Sequence, residues 1–411
     1  MTTGLPHTAA EAPGATDTIA APAHPPKDGA RPGRDRYLDV LRAVALLRVV
    51  VYHVFGWAWL TLFFPSMGVM FALAGSLMAR SLKRPAAGVI RGRIRRLLPP
   101  MWGFSLVVLP LMFHFGWEPV KEDGVWWFLK LANYLVPIGA PPVPESSGDQ
   151  AGVLESSWAE QAAGPLWYIR TYLWFVIASP VLLWAFRRLP WATLFAPLAV
   201  TAVIGTGLVT IPGEAGEAIG DFAVYGSCWI LGFAHHDGMF QKVPRYLTVS
   251  VATMVMAFGL WWASGHLTAD GWDLNEIPLA QAAWSFGFCV ILLQYSPAWR
   301  ELPRRLARFD PVITLANNRA VTIYLWHNLL ILMTFSVVDL LFEIPGLGPA
   351  YSFIEDWYTV LIVITVWPLI ALMIVAVGWL EDIAAKRRPR LWPDGRSRGR
   401  KGHGRTRSHR P

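Results

Sequence analysis

The stretch LDVLRAVALLRVVVYHV, residues 38–54, is almost wholly aliphatic and yet carries Asp39, Arg42, Arg48 and His53. A soluble core helix rarely buries so many ionisable groups, and a plain membrane anchor avoids them. Arg42 and His53 stand eleven residues apart, which at about 100° per residue returns to nearly the same face of a helix. Asp39 falls on that side and Arg48 does not. The axial rise between Arg42 and His53 is about 16 Å, half of a hydrocarbon core of about 30 Å. One polar seam therefore runs from the start of the helix past its middle, and charged groups at membrane depth face a cavity or a partner.

The rest of the chain carries the same signature. Of 411 residues 54% are hydrophobic, with 22 Trp and 21 Phe, and only 16% are charged, against roughly 25% in soluble domains. Apolar runs near 20 residues recur along the length, the pattern of membrane spans. They predict an all-α polytopic membrane protein with about ten transmembrane helices, near 38–58, 62–82, 97–116, 166–186, 191–211, 222–236, 246–265, 278–296, 320–342 and 357–380.

Arg and Lys alternate with Asp and Glu between these runs. Lys83, Arg84, Arg91, Arg93, Arg95 and Arg96 fill one connection, while Glu118, Glu122, Asp123, Glu145, Glu155 and Glu160 fill the next. Basic residues mark the cytoplasmic side of short loops, so both termini are expected in the cytoplasm and the chain in the cytoplasmic membrane as a multi-pass protein. The net charge of +8 then follows from topology and calls for no nucleic-acid partner. Three regions are expected: a disordered cytoplasmic arm at 1–36, a transmembrane domain at 37–383 and a basic disordered tail at 384–411. Cys228 and Cys289 both lie inside apolar spans, which suggests neither a disulfide framework nor a metal site.

The stretches RYLDVLRAVALLRVVVYHV (36–54), FPSMGVMFALAG (64–75) and RIRRLLPPMW (93–102) follow one another in the order seen in a known family. Together they resemble the acyltransferase 3 family of integral membrane acyltransferases. Members open with Arg or Lys, ten residues and His, matched by Arg42 and His53. A Phe-Phe-x-x-Ser-Gly motif follows, matched only by Phe71 and Gly75, because Met70 and Ala74 replace Phe and Ser; Ser76 is the nearest hydroxyl. An Arg-x-x-Arg comes next, matched by Arg93 and Arg96. Later, GPLWYIRTYLWFVIASP (164–180) and TIYLWHNLLI (322–331) look like two further family segments.

The resemblance implies transfer of an acetyl or other short acyl group from an acyl-CoA donor to a hydroxyl of a sugar or polysaccharide. Such an acceptor is a cell-envelope glycan or a glycosylated metabolite. His53 is the expected catalytic group, either as base toward the hydroxyl or as carrier of the acyl group. Arg93 and Arg96, three residues apart on one helical face, suit the phosphates of the coenzyme. Arg42, which keeps its proton, is expected to hold the coenzyme or the tetrahedral oxyanion. His327 is the second intramembrane histidine, placed to polarise the thioester or bond His53, with Tyr324 and Asn328 beside it. Trp167 and Arg170 are expected at the outer end, stacking on and bonding a sugar. Arg48 has no assigned partner. The reading from another class is a proton-coupled or solute transporter using the same Arg and His seam.

Overall fold

Asp35 starts the first helix, because its carboxylate accepts the backbone N–H of Tyr37 at 3.0 Å and satisfies a donor that a helix start leaves open. The computed structural model describes residues 35–118, 124–144, 158–297 and 299–395. Helix α1 (Arg36–Phe55) ends at Gly56, whose φ of 62° is the left-handed cap that glycine takes without strain. The chain continues through α2 (Trp59–Phe63), α3 (Ser66–Ser81) and α4 (Ala86–His114). Helix α4 starts well before the expected position 97. Its first turns are Ala- and Arg-rich, good helix formers that carry no hydropathy signal, so Arg93 and Arg96 stand on the helix itself.

A short α5 (Trp127–Leu131) follows, with Val125, Trp126, Phe128 and Leu129 exposed. Then come α6 (Trp158–Ala163), α7 (Leu166–Arg188), α8 (Pro190–Gly205) and α9 (Gly213–His236). The span expected at 222–236 is the C-terminal part of α9. Its first half, GEAGEAIGD, is Gly-rich and acidic, which hid it from an apolar count. The remaining helices are α10 (Arg245–Ser264), α11 (Pro278–Gln294), α12 (Asp310–Asn318), α13 (Ala320–Glu343), α14 (Tyr351–Asp356), α15 (Tyr358–Val377) and α16 (Trp379–Ala384). Among the described residues there is no β-strand.

Among the described residues six segments are long and apolar enough to cross a membrane: Trp59–Ser81, Ala86–His114, Trp158–Arg188, Arg245–Ser264, Ala320–Glu343 and Tyr358–Val377. Helices α8 and α11 are apolar but shorter, at 16 and 17 residues. Helix α1 carries Arg36, Asp39, Arg42 and Arg48. The segment holding α3 is the most enclosed, while α10 and α15 present most of their apolar surface outward, as lipid-facing helices do.

Helix α9 is the hub, packed on α3, α7, α8 and α11, and α1 lies against α3, α12 and α13. The α3–α9 crossing is backbone to backbone. A Cβ on Gly75 would stand 2.0 Å from the Trp229 carbonyl oxygen, and one on Gly232 would stand 2.2 Å from that of Ala72. Small residues are what allow such an approach. Gly75, the glycine of the second motif, is thus a packing residue, and Ser76 beside it meets His235 Nδ1 at 3.1 Å rather than either intramembrane histidine.

Ion pairs tie one end of the bundle. Arg36 bridges Asp39 at 2.9 Å and also pairs with Asp310. Arg187 holds Asp237 at 2.8 Å, and Arg319 holds Asp382 at 2.7 Å. Past the boundary expected at 383, residues 385–395 return against this end. The backbone N–H of Arg390 donates to Asp382 at 3.0 Å, and Asn318 donates to the Pro393 carbonyl at 3.0 Å. The expected arm 1–36, from 1 to 34, and the tail from 396 on lie outside the described residues.

Candidate active site

His53 occupies the last turn of α1 and His327 lies about two turns into α13. Their ring centroids are 4.9 Å apart with planes inclined at 35°. The two are differently embedded: His327 is 1% exposed, whereas His53 is open to the outside of the fold. His327 Nδ1 is 2.6 Å from the Tyr324 carbonyl oxygen. A carbonyl only accepts, so Nδ1 carries the proton and Nε2 keeps a lone pair. That Nε2 is buried with no hydrogen-bond partner. Leaving a buried polar atom unpaired costs about 1–3 kcal/mol, so the ring holds an acceptor ready at the helix interface.

The seam on α1 faces α12 and α13, as its sequence spacing predicts. Arg42 is half-buried and donates to Asn317 Oδ1 at 3.0 Å, while Asn317 Nδ2 donates to the Asp39 carbonyl at 2.8 Å. The rise of about 16 Å from Arg42 to His53 exceeds the length of an arginine side chain. Arg42 therefore does not reach an oxyanion held at His53. Arg48 also finds its partners. Its Nε donates to the Leu60 carbonyl at 3.2 Å, and its guanidinium lies 4.7 Å from the centre of the Tyr52 ring. Tyr52, adjacent to His53, donates to Asp273.

A wall of aromatic rings extends from His327. Tyr324 is 5.5 Å from His327 and 4.9 Å from Tyr168; Tyr168 is 4.8 Å from Phe71, and Phe71 is 5.1 Å from Tyr225. Tyr225 stacks on Trp167 at 5.6 Å. Tyr324, Phe71 and Trp167, far apart in sequence, are thus joined by one series of ring contacts. Arg170 is buried, with one terminal nitrogen 2.7 Å from Asp221, so it is engaged by the protein itself. Asn328 donates to the Gln161 carbonyl at 2.8 Å.

Toward the end tied by ion pairs, Arg93 donates to Ser81 Oγ at 3.2 Å and lies 3.4 Å from both the Leu77 carbonyl and the Tyr172 hydroxyl. Arg96, one turn on, is exposed. Pro99 and Pro100 lack the N–H groups that would bond the carbonyls of Arg95 and Arg96. The structure does not bring Arg93 and Arg96 to the histidines; they sit at the far end of the seam. Among the described residues no group of three His, Cys, Asp or Glu is placed to hold a metal ion.

Sequence reasoning missed Asn317, Asp221 and Tyr225. Asp221 carried a signal, an acid at the edge of an apolar run, but Asn317 and Tyr225 gain meaning only from their partners. The family model described as an acyltransferase domain, that of acyltransferase 3, matches residues 35–380. No curated protein and no solved structure matches the chain.

Proposed function

The chain belongs to the acyltransferase 3 family, and on that premise we propose that it is a ten-span O-acyltransferase of the cytoplasmic membrane. It moves an acetyl or other short acyl group from acyl-CoA to a hydroxyl of a cell-envelope glycan or glycosylated metabolite. The observation that carries this reading is the His53–His327 pair, one ring open and the other buried with an unpartnered Nε2. The arginine-rich end faces the cytoplasm. There Arg93, Arg96 and Arg42 meet the phosphates of the coenzyme, whose pantetheine arm carries the thioester inward along α1.

His53 takes the proton of the acceptor hydroxyl as its oxygen attacks the thioester carbonyl. The tetrahedral intermediate then expels the coenzyme thiolate, which recovers that proton from His53. The Nε2 lone pair of His327 accepts a hydrogen bond from the imidazolium formed on His53, with its tautomer held by Tyr324. This is the logic of a base oriented by a neighbour.

The test is transfer of label from acyl-labelled coenzyme A thioesters, in membranes holding the native chain or His53→Ala at matched protein levels. Envelope extracts and glycosides serve as acceptors. Label reaching an acceptor only with the native chain supports the reading. Equal transfer by His53→Ala would overturn the role of that histidine. Absence of transfer, together with solute flux across vesicles that depends on His53, would replace the enzyme with a transporter.

A further inference from the structure

A cavity at the opposite end of α9 from His235 takes no part in the reaction described above. It measures about 400 Å³ and opens between α8, α9 and α11, within the roughly 300–1,000 Å³ usual for small-molecule sites. Its charged lining is wholly acidic, Glu217 and Asp221, and Tyr225, Asn275 and Gln281 complete its polar walls. Gln281 is 2% exposed; its Nε2 donates to the Tyr225 hydroxyl at 3.5 Å, while its Oε1 has no partner. A buried amide oxygen in that state lacks an N–H or O–H donor, which an occupant of the cavity supplies.

Two series of side-chain contacts link the cavity to the histidine site. Tyr225 belongs to the aromatic series that leads through Phe71, Tyr168 and Tyr324 to His327. On the other side, the backbone N–H of Asn275 donates at 2.9 Å to Asp273, which accepts the hydroxyl of Tyr52 next to His53. From Asp221 to His235 is about 21 Å of helix, so this cavity and the arginines lie at opposite ends of the bundle.

We infer that this cavity receives the acceptor, and that the acceptor is a hydroxyl-rich molecule without negative charge, a neutral sugar or an amino sugar. The inference rests on the acyltransferase reading. Carboxylates and an amide oxygen accept hydrogen bonds from hydroxyl and ammonium groups. Asp221 is already paired with the buried Arg170 at 2.7 Å, so the charge that repels a uronate, phosphate or sulfate, and gives specificity by exclusion, comes from Glu217. Donor and acceptor therefore enter from opposite ends and meet at His53.

The experiment uses the full chain in nanodiscs and three diazirine-bearing probes that differ only in the sugar: a glucoside, a glucosaminide and a glucuronide. Labelled peptides are mapped by mass spectrometry, and the same glycosides are offered as acceptors for labelled acetyl-CoA. The glucoside and glucosaminide are expected to label α9 and α11, with the glucuronide at least about tenfold weaker. Gln281→Ala should raise the acceptor KM about fivefold, the loss of one hydrogen bond, and leave the KM for acetyl-CoA unchanged. Glu217→Gln, an exposed change that spares the core, should do the same. Labelling elsewhere, equal labelling by the glucuronide, or an acceptor KM unmoved in both variants would overturn the inference. Acyl transfer that persists with the label elsewhere removes the cavity and keeps the enzyme. Labelling of the cavity by a chain that transfers no acyl group removes the enzyme, and with it the acceptor role.

Discussion

Arg319, just before α13, and His327 within it are both buried, and their surroundings treat them differently. Arg319 has no exposed surface and its terminal nitrogens are engaged by Asp382 at 2.7 Å, by the Asn318 carbonyl at 3.3 Å and by the Arg390 carbonyl. His327 is 1% exposed, one nitrogen is fixed by a backbone carbonyl, and the other meets nothing. A buried charge pair resists loss of either partner because the other is left stranded, whereas a buried acceptor left open weakens the fold and is kept for what it does. The ion-paired end of the bundle is read as a fastening and the histidine pair as chemistry.

The contrast is broken most directly at Arg319. Arg319→Ala leaves Asp382 buried without its main partner and is expected to cost about 3–5 kcal/mol of stability, read by thermal unfolding in nanodiscs. An unshifted midpoint would end the claim that this end is a fastening. His327→Phe is the opposite case. Replacing a ring whose Nε2 is buried and unpaired with an apolar ring trades the Nδ1 bond to Tyr324 against that unpaired atom and should shift the midpoint little, while acyl transfer falls about a hundredfold. A loss of stability matching that of Arg319→Ala would make His327 structural.

Two smaller effects sharpen the same line. Arg93→Ala should raise the KM for acyl-CoA about tenfold with kcat unchanged, the size of one charge-assisted hydrogen bond, while Arg91→Ala, an exposed neighbour, changes neither. Equal shifts in both would reduce Arg93 to topology. Glu381, beyond the last span, has its carboxyl pushed by burial up to about 7, while Thr322 donates to it through N–H at 2.8 Å and hydroxyl at 2.6 Å. The folded value lies above the ordinary one of 4.5. Its stabilising contribution is therefore full below that pH and lost as pH rises through about 7. The melting midpoint should fall between about pH 5 and pH 8, and Glu381→Gln should remove that part of the slope. An unchanged slope would show Glu381 to be an ordinary exposed acid.

Much of the site was legible along α1. The spacing of Arg42 and His53 placed both on one face, and α12 and α13 now lie against that face. His327 could be named from its apolar surroundings, because a histidine at membrane depth is already conspicuous. Arg48 could be seen to need a partner but not which one, since the Leu60 carbonyl belongs to a different helix. The first turns of α4 and α9 escaped an apolar count because Ala, Arg and Glu form helix while the Arg, Gly and Glu there keep the hydropathy low. Arg170 could be placed near the start of α7, but its engagement by Asp221, fifty-one residues away, could not be foreseen.

By itself the sequence determined an all-helical membrane protein, the positions of its apolar segments, the face shared by Arg42 and His53, and the family. The first three follow from composition and from the helical period, both of which act over a few neighbouring residues, and the family follows from the order of its motifs. The tertiary structure alone decided that His53 meets His327, that Ser76 turns to His235, that Gly75 and Gly232 bring two backbones together, and that an acidic cavity forms around Gln281. Each of those contacts joins helices remote in the chain. Hydropathy does not distinguish one apolar face from another, so which faces meet is settled by the shapes that pack and the polar atoms that find partners.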